Sequence, residues 1–380
     1  MPPAWREDGE GPQTLTGLLP EGFRDRLPPQ AEAAAALLRT LLDTVAARGY
    51  ARVQPPLVEF ETGLSGWLMK PASTALLRAT DPASGLGLAL RPDITGQIAR
   101  IAATRLADAP RPLRLAYGGP VLRAKGGQLN PAREFLQAGA ELIGSDSLAA
   151  ATEILTMAVA ALAAAGVTDI SVDLTLPELV ATLAADRWPV PCPLADLHAA
   201  LDAKDAGALP ALGATAYAPL LAAAGPAAQA LARLRALDLP VAPQLDALES
   251  LAAALPGTHV TIDPTERHGF EYHSWLGFSL FGRGPEGAVR GEIGRGGSYA
   301  VRHSNGTSEA AVGFSLYVDA LVDAGLGITR PRRLFLPHGT PSTTADTLRA
   351  QGWATVAALS PTDTPQGCSH VWNGVEAAAL

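Results

Sequence analysis

One short stretch of the chain combines an apolar face with a face that carries an amide and a carboxylate. In residues 134–144 (EFLQAGAELIG), the two-residue period of a strand places Gln137, Gly139 and Glu141 on one side, and the alternate positions are apolar. A glycine between two polar side chains leaves room for a ligand to lie against the sheet. The stretch therefore predicts either the floor of a ligand site or an ordinary solvated strand face.

Arg123 and Asp93 are charged residues that could join this face. Arg123 ends the preceding predicted strand, and its planar donor array suits a carboxylate, either of a ligand or of Glu134 or Glu141. Asp93 stands in the junction Arg91-Pro92-Asp93-Ile94-Thr95, where it could cap the following helix or contact a ligand. Both alternatives stay open for each residue.

Two later fragments are rich in histidine or glycine. The segment His268-Gly269-Phe270-Glu271-Tyr272-His273 is expected to open a strand, and residues 291–299 read GEIGRGGSY. No Lys-Ser or Lys-Thr pair follows these glycines, so a bulge or tight turn explains them as well as phosphate binding does. The histidines lack the HExxH spacing, and Cys192 and Cys368 stand far apart. We therefore expect neither a metal site nor a disulfide framework.

The composition is that of an acidic globular protein. The 380 residues are 48% hydrophobic and only 17% charged, with a formal net charge of −8 at pH 7. This length predicts about two to three domains with ample material for a core. The negative charge disfavours broad binding to nucleic acid or anionic membranes, because phosphates would be repelled. A charged start and the lack of a long apolar run predict a cytoplasmic protein.

Hydrophobic periodicity predicts helices mixed with strands that are joined by hairpin-length loops. This pattern favours an α+β fold with an antiparallel sheet over a doubly wound parallel sheet. Helices are expected at 30–48, from Asp93 onward, and at 147–165, 309–324 and 343–352. Strands are expected at 86–91, 113–123, 134–143, 170–176, 259–263, 270–281, 288–300, 334–337 and 354–358.

The same patterns divide the chain into parts. Residues 1–17 are polar and rich in glycine and proline, as in a flexible tail. Residues 177–256 are rich in alanine and leucine and are broken by prolines, which predicts a helical insertion. The remaining parts are a core of residues 18–176 and 257–325 and a short α/β segment, 331–380, whose end beyond 358 is expected to fray.

Six fragments in the correct order resemble the catalytic core of histidyl-tRNA synthetase, a class II aminoacyl-tRNA synthetase, over about residues 18–325. The resemblance implies an antiparallel sheet flanked by helices. The fragments are Gly22-Phe23-Arg24-Asp25 with Leu27-Pro28, the motif 1-like segment from Gly49-Tyr50 to Pro56 and Glu59, Arg91-Pro92-Asp93-Ile94-Thr95, the motif 2-like segment from Arg123 to Glu141, Gly269-Phe270-Glu271-Tyr272-His273, and Gly296-Gly297-Ser298-Tyr299.

The chain departs from the synthetase pattern where ATP is handled. His268 stands where an arginine precedes the glycine of the histidine-specific motif, and Ala320 replaces the motif 3 arginine that stacks on adenine. Gly126 and Pro131 stand where ATP-contacting arginines of the motif 2 loop are expected. Alanine offers neither charge nor cation–π stacking, and stabilising the triphosphate charge is most of the catalysis. The departures imply that ATP use is lost.

The groups that the synthetase family uses to hold histidine remain in the chain. The resemblance assigns Asp93, Thr95 and Gln137 to the α-ammonium, Glu141 to an imidazole N–H, Arg123 to the α-carboxylate, and Tyr272, His273 and Tyr299 to the walls. A few charge-assisted hydrogen bonds of ~1.5–3 kcal/mol each suffice for micromolar binding. No catalytic residue, cofactor or metal is expected.

A core of this kind resembles the family of ATP phosphoribosyltransferase regulatory subunits. Residues 331–380 agree, because they are much shorter than a synthetase's anticodon-binding domain and carry three basic and three acidic residues. The family implies a non-catalytic subunit that assembles with a short-form catalytic subunit, supports the first step of histidine biosynthesis and confers feedback regulation by histidine. The motif 1-like segment implies a homodimer within a hetero-oligomer. The alternatives are an active histidine–tRNA ligase and a stand-alone histidine-sensing synthetase paralogue.

Overall fold

A computed structural model describes residues 18–64, 66–68, 76–126, 131–267, 269–270 and 272–380. The chain divides into two compact units, the first ending at Gly327 and the second covering Ile328–Leu380. The predicted tail, residues 1–17, lies outside the described residues, as do His268 and Glu271. The division into tail, core, insertion and C-terminal segment stays a prediction.

Most helices of the first unit bury apolar residues in one large core, whereas Ile98 and Ala102 belong to a second cluster. In α1, Leu37, Leu41 and Val45 recur at helical spacing and are buried in the same cluster as Leu245 and Leu248 of α9. The described helices of this unit are α1 (Gln30–Ala46), α2 (Glu61–Leu64), α3 (Thr95–Ala103), α4 (Leu148–Ala164), α5 (Leu179–Ala185), α6 (Leu194–Asp202), α7 (Ala218–Ala223), α8 (Ala227–Ala236), α9 (Ala242–Ala253) and α10 (Val318–Asp323).

Most strands of the first unit form one large sheet. They are β1 (Ala51–Arg52), β5 (Leu113–Leu122), β6 (Glu134–Ile143), β7 (Thr168–Thr175), β8 (Gly225–Pro226), β9 (His259–Ile262), β10 (Gly277–Gly284), β11 (Gly287–Ala288), β12 (Gly294–Arg302) and β13 (Ser308–Tyr317). The order across the sheet is β1-β5-β6-β13-β12-β10-β7-β9-β8, with β11 beside β10. The pairs from β5 to β7 are antiparallel, whereas β1 is parallel to β5 and β9 to β7.

A separate three-stranded sheet has one buried and one exposed face. Its strands are β2 (Val58–Phe60), β3 (Leu77–Thr80) and β4 (Gly87–Leu90), in the order β2-β4-β3. Glu59 and Ala89 point inward, and Glu59 accepts hydrogen bonds from Arg100 of α3. The register puts apolar side chains on the other face, which are Val58, Phe60, Leu77, Leu88 and Leu90. Val58 and Phe60 are 37% and 46% exposed.

The second unit is a small α/β fold. Its strands are β14 (Arg333–Leu336), β15 (Ala354–Ala357), β16 (His370–Trp372) and β17 (Ala377–Ala379), ordered β15-β14-β16-β17, with the helix α11 (Ser342–Ala350). Leu334, Leu336, Ala345 and Leu348 form its core. The expectation that the chain frays after residue 358 is wrong, because β16 and β17 complete this sheet.

The predicted antiparallel α+β fold is confirmed, but three elements differ from expectation. The predicted helix 309–324 is mostly strand β13, because pairing with β6 and β12 on both sides overrides the helical propensity of its alanine, glutamate and leucine residues. The predicted strand 270–281 begins only at Gly277, after a turn in which the His273 N–H donates to the Phe270 carbonyl. The predicted strand 288–300 is broken between β11 and β12. None of the described helices is long and apolar enough to cross a bilayer.

Gly313 in β13 offers a test of this close strand packing. A Cβ atom at Gly313 would collide with the Glu141 carboxylate and the Ala140 carbonyl. We expect Gly313→Ala to lower the free energy of unfolding by roughly 1–3 kcal/mol, as overpacking does. Urea denaturation would measure this. Gly87→Ala is the control, because its Cβ would meet only Glu61 Oε2 at 3.7 Å. Equal stability losses in the two variants would contradict the expectation.

Candidate functional site

The predicted polar face of β6 lies in the middle of the large sheet. Gln137, Gly139 and Glu141 have neighbours on the same face from β5, β13 and β12. Across the sheet these neighbours are Gly119, Tyr117 and Leu115 on β5, Tyr317, Ser315 and Gly313 on β13, and Arg295, Gly297 and Tyr299 on β12. Gly313 therefore lies beside Glu141, and Gly297 lies one strand further. These two glycines leave a slot in the sheet surface.

The Glu141 carboxylate fills this slot and is held by two phenols. Tyr117 donates to Oε1 at 3.0 Å and Tyr299 donates to Oε2 at 2.8 Å. Glu141 is 1% exposed, and burial raises its pKa from 4.5 to about 8, although both phenols act in the opposite direction. At neutral pH the carboxyl can therefore either donate or accept a hydrogen bond.

Gln137 connects the sheet to the start of α3. Its Nε2 donates to Asp93 Oδ2 and to Ser315 Oγ, both at 2.6 Å, and its Oε1 accepts from the Ile94 N–H at 3.1 Å. The exposed Asp93 also accepts from the Thr95 N–H at 2.7 Å. Asp93 thus contacts the first residue of α3 and belongs to the polar network, and its contact with a ligand stays a prediction.

The space predicted above Gly139 is filled by the protein itself. A Cβ at Gly139 would collide with the Tyr117 hydroxyl, so the phenol of Tyr117 lies directly over this glycine. Its hydroxyl also lies 3.0 Å from Ser315 Oγ and 3.3 Å from Thr95 Oγ1. The glycine is needed for a side chain of this chain rather than for direct ligand contact.

Three aromatic side chains enclose the slot. The rings of Tyr272 and His273 lie 4.0 Å apart, and Tyr272 meets Tyr299 edge-on at 6.0 Å. His273 is buried and its Nδ1 has no hydrogen-bond partner among the described residues. Burial, followed by the positive charge of Arg295, lowers the pKa of His273 to about 3, so the ring is neutral. The enclosed cavity is only about 10 Å³, which is room for one water.

The structure brings seven of the eight predicted site residues into one neighbourhood. Thr95, Glu141, Tyr272, His273 and Tyr299 line the cavity, and Gln137 and Asp93 adjoin it through Ser315. Arg123 lies apart. It is exposed at the end of β5, and its Cζ lies 4.6 Å from the centroid of the Phe135 ring rather than beside Glu134 or Glu141.

Sequence reasoning missed four residues of the site. Tyr117 shares the alternation of β5 with Leu115 and Gly119, so pairing β5 with β6 residue by residue would have found it. Ser315 and Gly313 were hidden by the predicted helix 309–324. Arg295 was passed over because its segment was interpreted only as a glycine cluster.

Near Ala320, where the motif 3 arginine was expected, charged side chains are paired within the chain. Beside Ala320, Asp319 forms an ion pair with Arg26 and accepts from the Leu136 N–H. Tyr317, at the end of β13, packs edge-on against Phe135 with centroids 5.8 Å apart. Around the motif 3-like segment, Arg26 thus neutralises the charge of Asp319, and the rings of Phe135 and Tyr317 occupy the adjoining space.

Comparison with known proteins decides between the families considered. The family model described as histidyl-tRNA synthetase matches residues 22–321. An ATP phosphoribosyltransferase regulatory subunit from Paramagnetospirillum magneticum is 47% identical over 93% of this chain and 95% of its own length. The chain belongs to the ATP phosphoribosyltransferase regulatory subunit family.

Two further similarities agree with this family. A regulatory subunit of the same name from Rhodospirillum centenum is 44% identical over 94% of this chain and 95% of its own length. A solved structure from Bacillus halodurans, described as an ATP phosphoribosyltransferase regulatory subunit/histidyl-tRNA synthetase, is 25% identical with a TM-score of 0.72, and the match covers 89% of this chain and 92% of that one. The predicted family and fold are confirmed, and a regulatory function is favoured over an active ligase.

The raised pKa of Glu141 predicts an unusual pH dependence of stability. Between its unfolded value near 4.5 and its folded value of about 8, the folded protein holds a proton that the unfolded chain has released. As pH rises through this window, the free energy of unfolding should therefore fall by a few kcal/mol on this account.

Glu141→Gln removes this titration, so the variant should gain stability relative to the parent protein from pH 5 to pH 8 in urea denaturation. Glu134→Gln, at an exposed position on the same strand, should follow the parent protein. Parallel pH profiles for the parent and Glu141→Gln would show that Glu141 titrates normally.

Proposed function

We propose that this chain is the histidine-sensing, non-catalytic subunit of ATP phosphoribosyltransferase. It binds L-histidine at the Glu141 cavity and assembles with a short-form catalytic subunit for the first step of histidine biosynthesis. The single observation that carries the proposal is the Glu141 slot, a buried carboxyl poised near neutral pH in a chain of this family. The cytoplasm is the compartment that such a biosynthetic complex requires.

The Glu141 carboxyl can form a hydrogen bond with an imidazole ring in either protonation state. A protonated carboxyl donates to a neutral imidazole nitrogen, and an ionised carboxylate accepts from an imidazolium N–H. Because the pKa of Glu141 is about 8 and that of free imidazole is ~6.5, one shared proton serves both arrangements near neutral pH. Tyr117 and Tyr299 hold the carboxyl oxygens in place for this contact.

The α-ammonium of the ligand fits the Asp93–Gln137 network. Asp93 is exposed beside the cavity and already accepts one hydrogen bond at each oxygen, from Thr95 and Gln137. A carboxylate has about four lone-pair directions, so an ammonium group adds contacts without breaking these. Thr95 and Ser315 provide hydroxyls within the same network.

Occupancy of the cavity requires a change in its walls. A volume of about 10 Å³ is far too small for an amino acid, so the side chains of Tyr272, His273 and Tyr299 must separate. The empty and the occupied protein therefore differ in structure. Histidine regulates a partner only by the difference in its affinity for the two arrangements, and couplings of ~1–3 kcal/mol are usual.

The exposed apolar face of the three-stranded sheet supports the proposed homodimer. Five apolar side chains of β2, β3 and β4 share this face. On the opposite face, Glu59 pairs with Arg100 of α3, and Arg78 pairs with Glu61 of α2. This sheet directly follows the motif 1-like segment, the element that implied a dimer. A contiguous apolar patch of this kind is typical of an interface between subunits.

The regulatory proposal is tested by reconstituting the complex. Mixed with the short-form catalytic subunit of the same organism, the chain should raise ATP phosphoribosyltransferase activity, and L-histidine should then inhibit that activity. We expect Glu141→Ala to activate the catalytic subunit normally but to need at least about tenfold more histidine for inhibition, because a charge-assisted hydrogen bond is lost.

Glu134→Ala is the matched control and should be inhibited like the parent protein, because Glu134 is exposed on the same strand. Retained activation also shows that each variant is folded. Formation of histidyl-adenylate from ATP, or equal inhibition of Glu141→Ala and parent complexes, would refute the proposal.

A charge on the apolar sheet face should break the homodimer. Phe60→Asp places a carboxylate on this face at the end of the edge strand β2, and we expect micromolar protein to sediment as a monomer, because burying an unpaired charge is costly. Val356→Asp, at a similarly exposed position on the edge strand β15 (38% against 46%), should leave the mass unchanged. Identical masses for Phe60→Asp and the parent protein would place the dimer interface elsewhere.

A further inference from the structure

We propose that Arg295, rather than Arg123, binds the carboxylate of the amino-acid ligand. The inference rests on the proposed binding of histidine at the Glu141 cavity and assigns the residue that selects an amino acid over a bare imidazole or amine. It concerns a residue that the motif comparison did not single out.

Arg295 belongs to the cavity that Glu141 lines, and Arg123 does not. The residue lies on β12 opposite Ser315, on the same sheet face as Glu141. Its side chain, 26% exposed, also lines a neighbouring cavity of about 300 Å³ together with Phe270 and Glu292. The guanidinium thus borders both the slot and this larger space, which is also lined by the acidic residues Asp173, Asp263 and Glu266.

The guanidinium of Arg295 is held in a fixed orientation. Glu292 accepts from its Nε at 2.7 Å and from its Nη2, and the Phe270 ring centroid lies 5.3 Å from its Cζ. An arginine has five N–H donors, so the paired Glu292 leaves donors for a second carboxylate. A donor array fixed before binding loses little side-chain entropy when the ligand arrives.

Arg295 also approaches the place of the arginine that the chain lacks. The resemblance expects an arginine directly before Gly269, where His268 stands. Gly269 has φ +80°, and a Cβ there would collide with Arg295 Nη1, so the guanidinium lies against the backbone of this glycine. The Arg295 guanidinium, from β12, therefore lies next to Gly269, the residue that directly follows the position of the expected arginine.

Arg295 lies closer to Glu141 across the sheet than Arg123 does. Seven residues separate Glu134 from Glu141 on β6, or about 24 Å along the strand, and Arg123 lies beyond the level of Glu134. Arg295 lies two strands away from Glu141, level with Gly139, which is two residues from Glu141. The Cα atoms of Arg295 and Glu141 are therefore roughly 12 Å apart. The guanidinium of Arg123 is also stacked on Phe135 at the exposed end of β5.

The assignment is tested by calorimetry with a pair of ligands, L-histidine and histamine, which lacks the carboxylate. We expect Arg295→Gln to weaken L-histidine binding by about tenfold or more, the loss typical of one charge-assisted hydrogen bond, and to change histamine binding by less than about twofold. Arg123→Gln, the matched control, should leave both affinities within about twofold of the parent protein.

The double variant Glu292→Gln/Arg295→Gln removes the whole ion pair and should show the same selective loss, which guards against an effect of an unpaired Glu292. Unchanged L-histidine binding in Arg295→Gln, an equal loss of both ligands, or a selective loss in Arg123→Gln would each overturn the assignment. If the parent protein bound no L-histidine at all, the proposed function itself would fail, which is a different result.

Discussion

Burial of the Glu141 carboxyl constrains the whole face of the sheet around it. A carboxylate removed from water is costly unless it is hydrogen-bonded or protonated, and Glu141 uses both routes. Its two phenol partners come from β5 and β12. Between Glu141 on β6 and β12 lies β13, which contributes Gly313 at this level. Four strands must therefore keep their register to within one residue, because a slip would turn these groups to the opposite side.

The two ends of this sheet face pair their polar groups in different ways. Gln137 and Glu141 are hydrogen-bonded to neighbouring side chains, which are Asp93, Ser315, Tyr117 and Tyr299. Around the end of β13, Tyr317 packs on Phe135, and Asp319 is neutralised by Arg26. The departures from the synthetase motifs lie in side chains of several segments, at Gly126, Pro131, His268 and Ala320, while the described backbone keeps the synthetase-like fold.

Local patterns were sufficient for β5 and β6 but not for β13 or for the side chains that cover the site. The alternation in residues 134–144 identified Gln137 and Glu141 and the face they share. The stretch 309–317 misled, because Glu309, Ala310 and Leu316 favour a helix in isolation and become strand only through long-range pairing on both sides. The phenol of Tyr117 over Gly139 follows only once the register of β5 against β6 is known, and the alternation of either strand alone does not give this register.

The parallel pairing of β7 with β9 has a consequence for how this protein can vary. Strands that run in the same direction cannot be joined by a hairpin, because the chain must first return to its starting edge. The helices between them make this return, and their leucines share the core with Ile154 of α4. Removal of these helices would therefore cost β9 its place in the sheet and expose the core beneath.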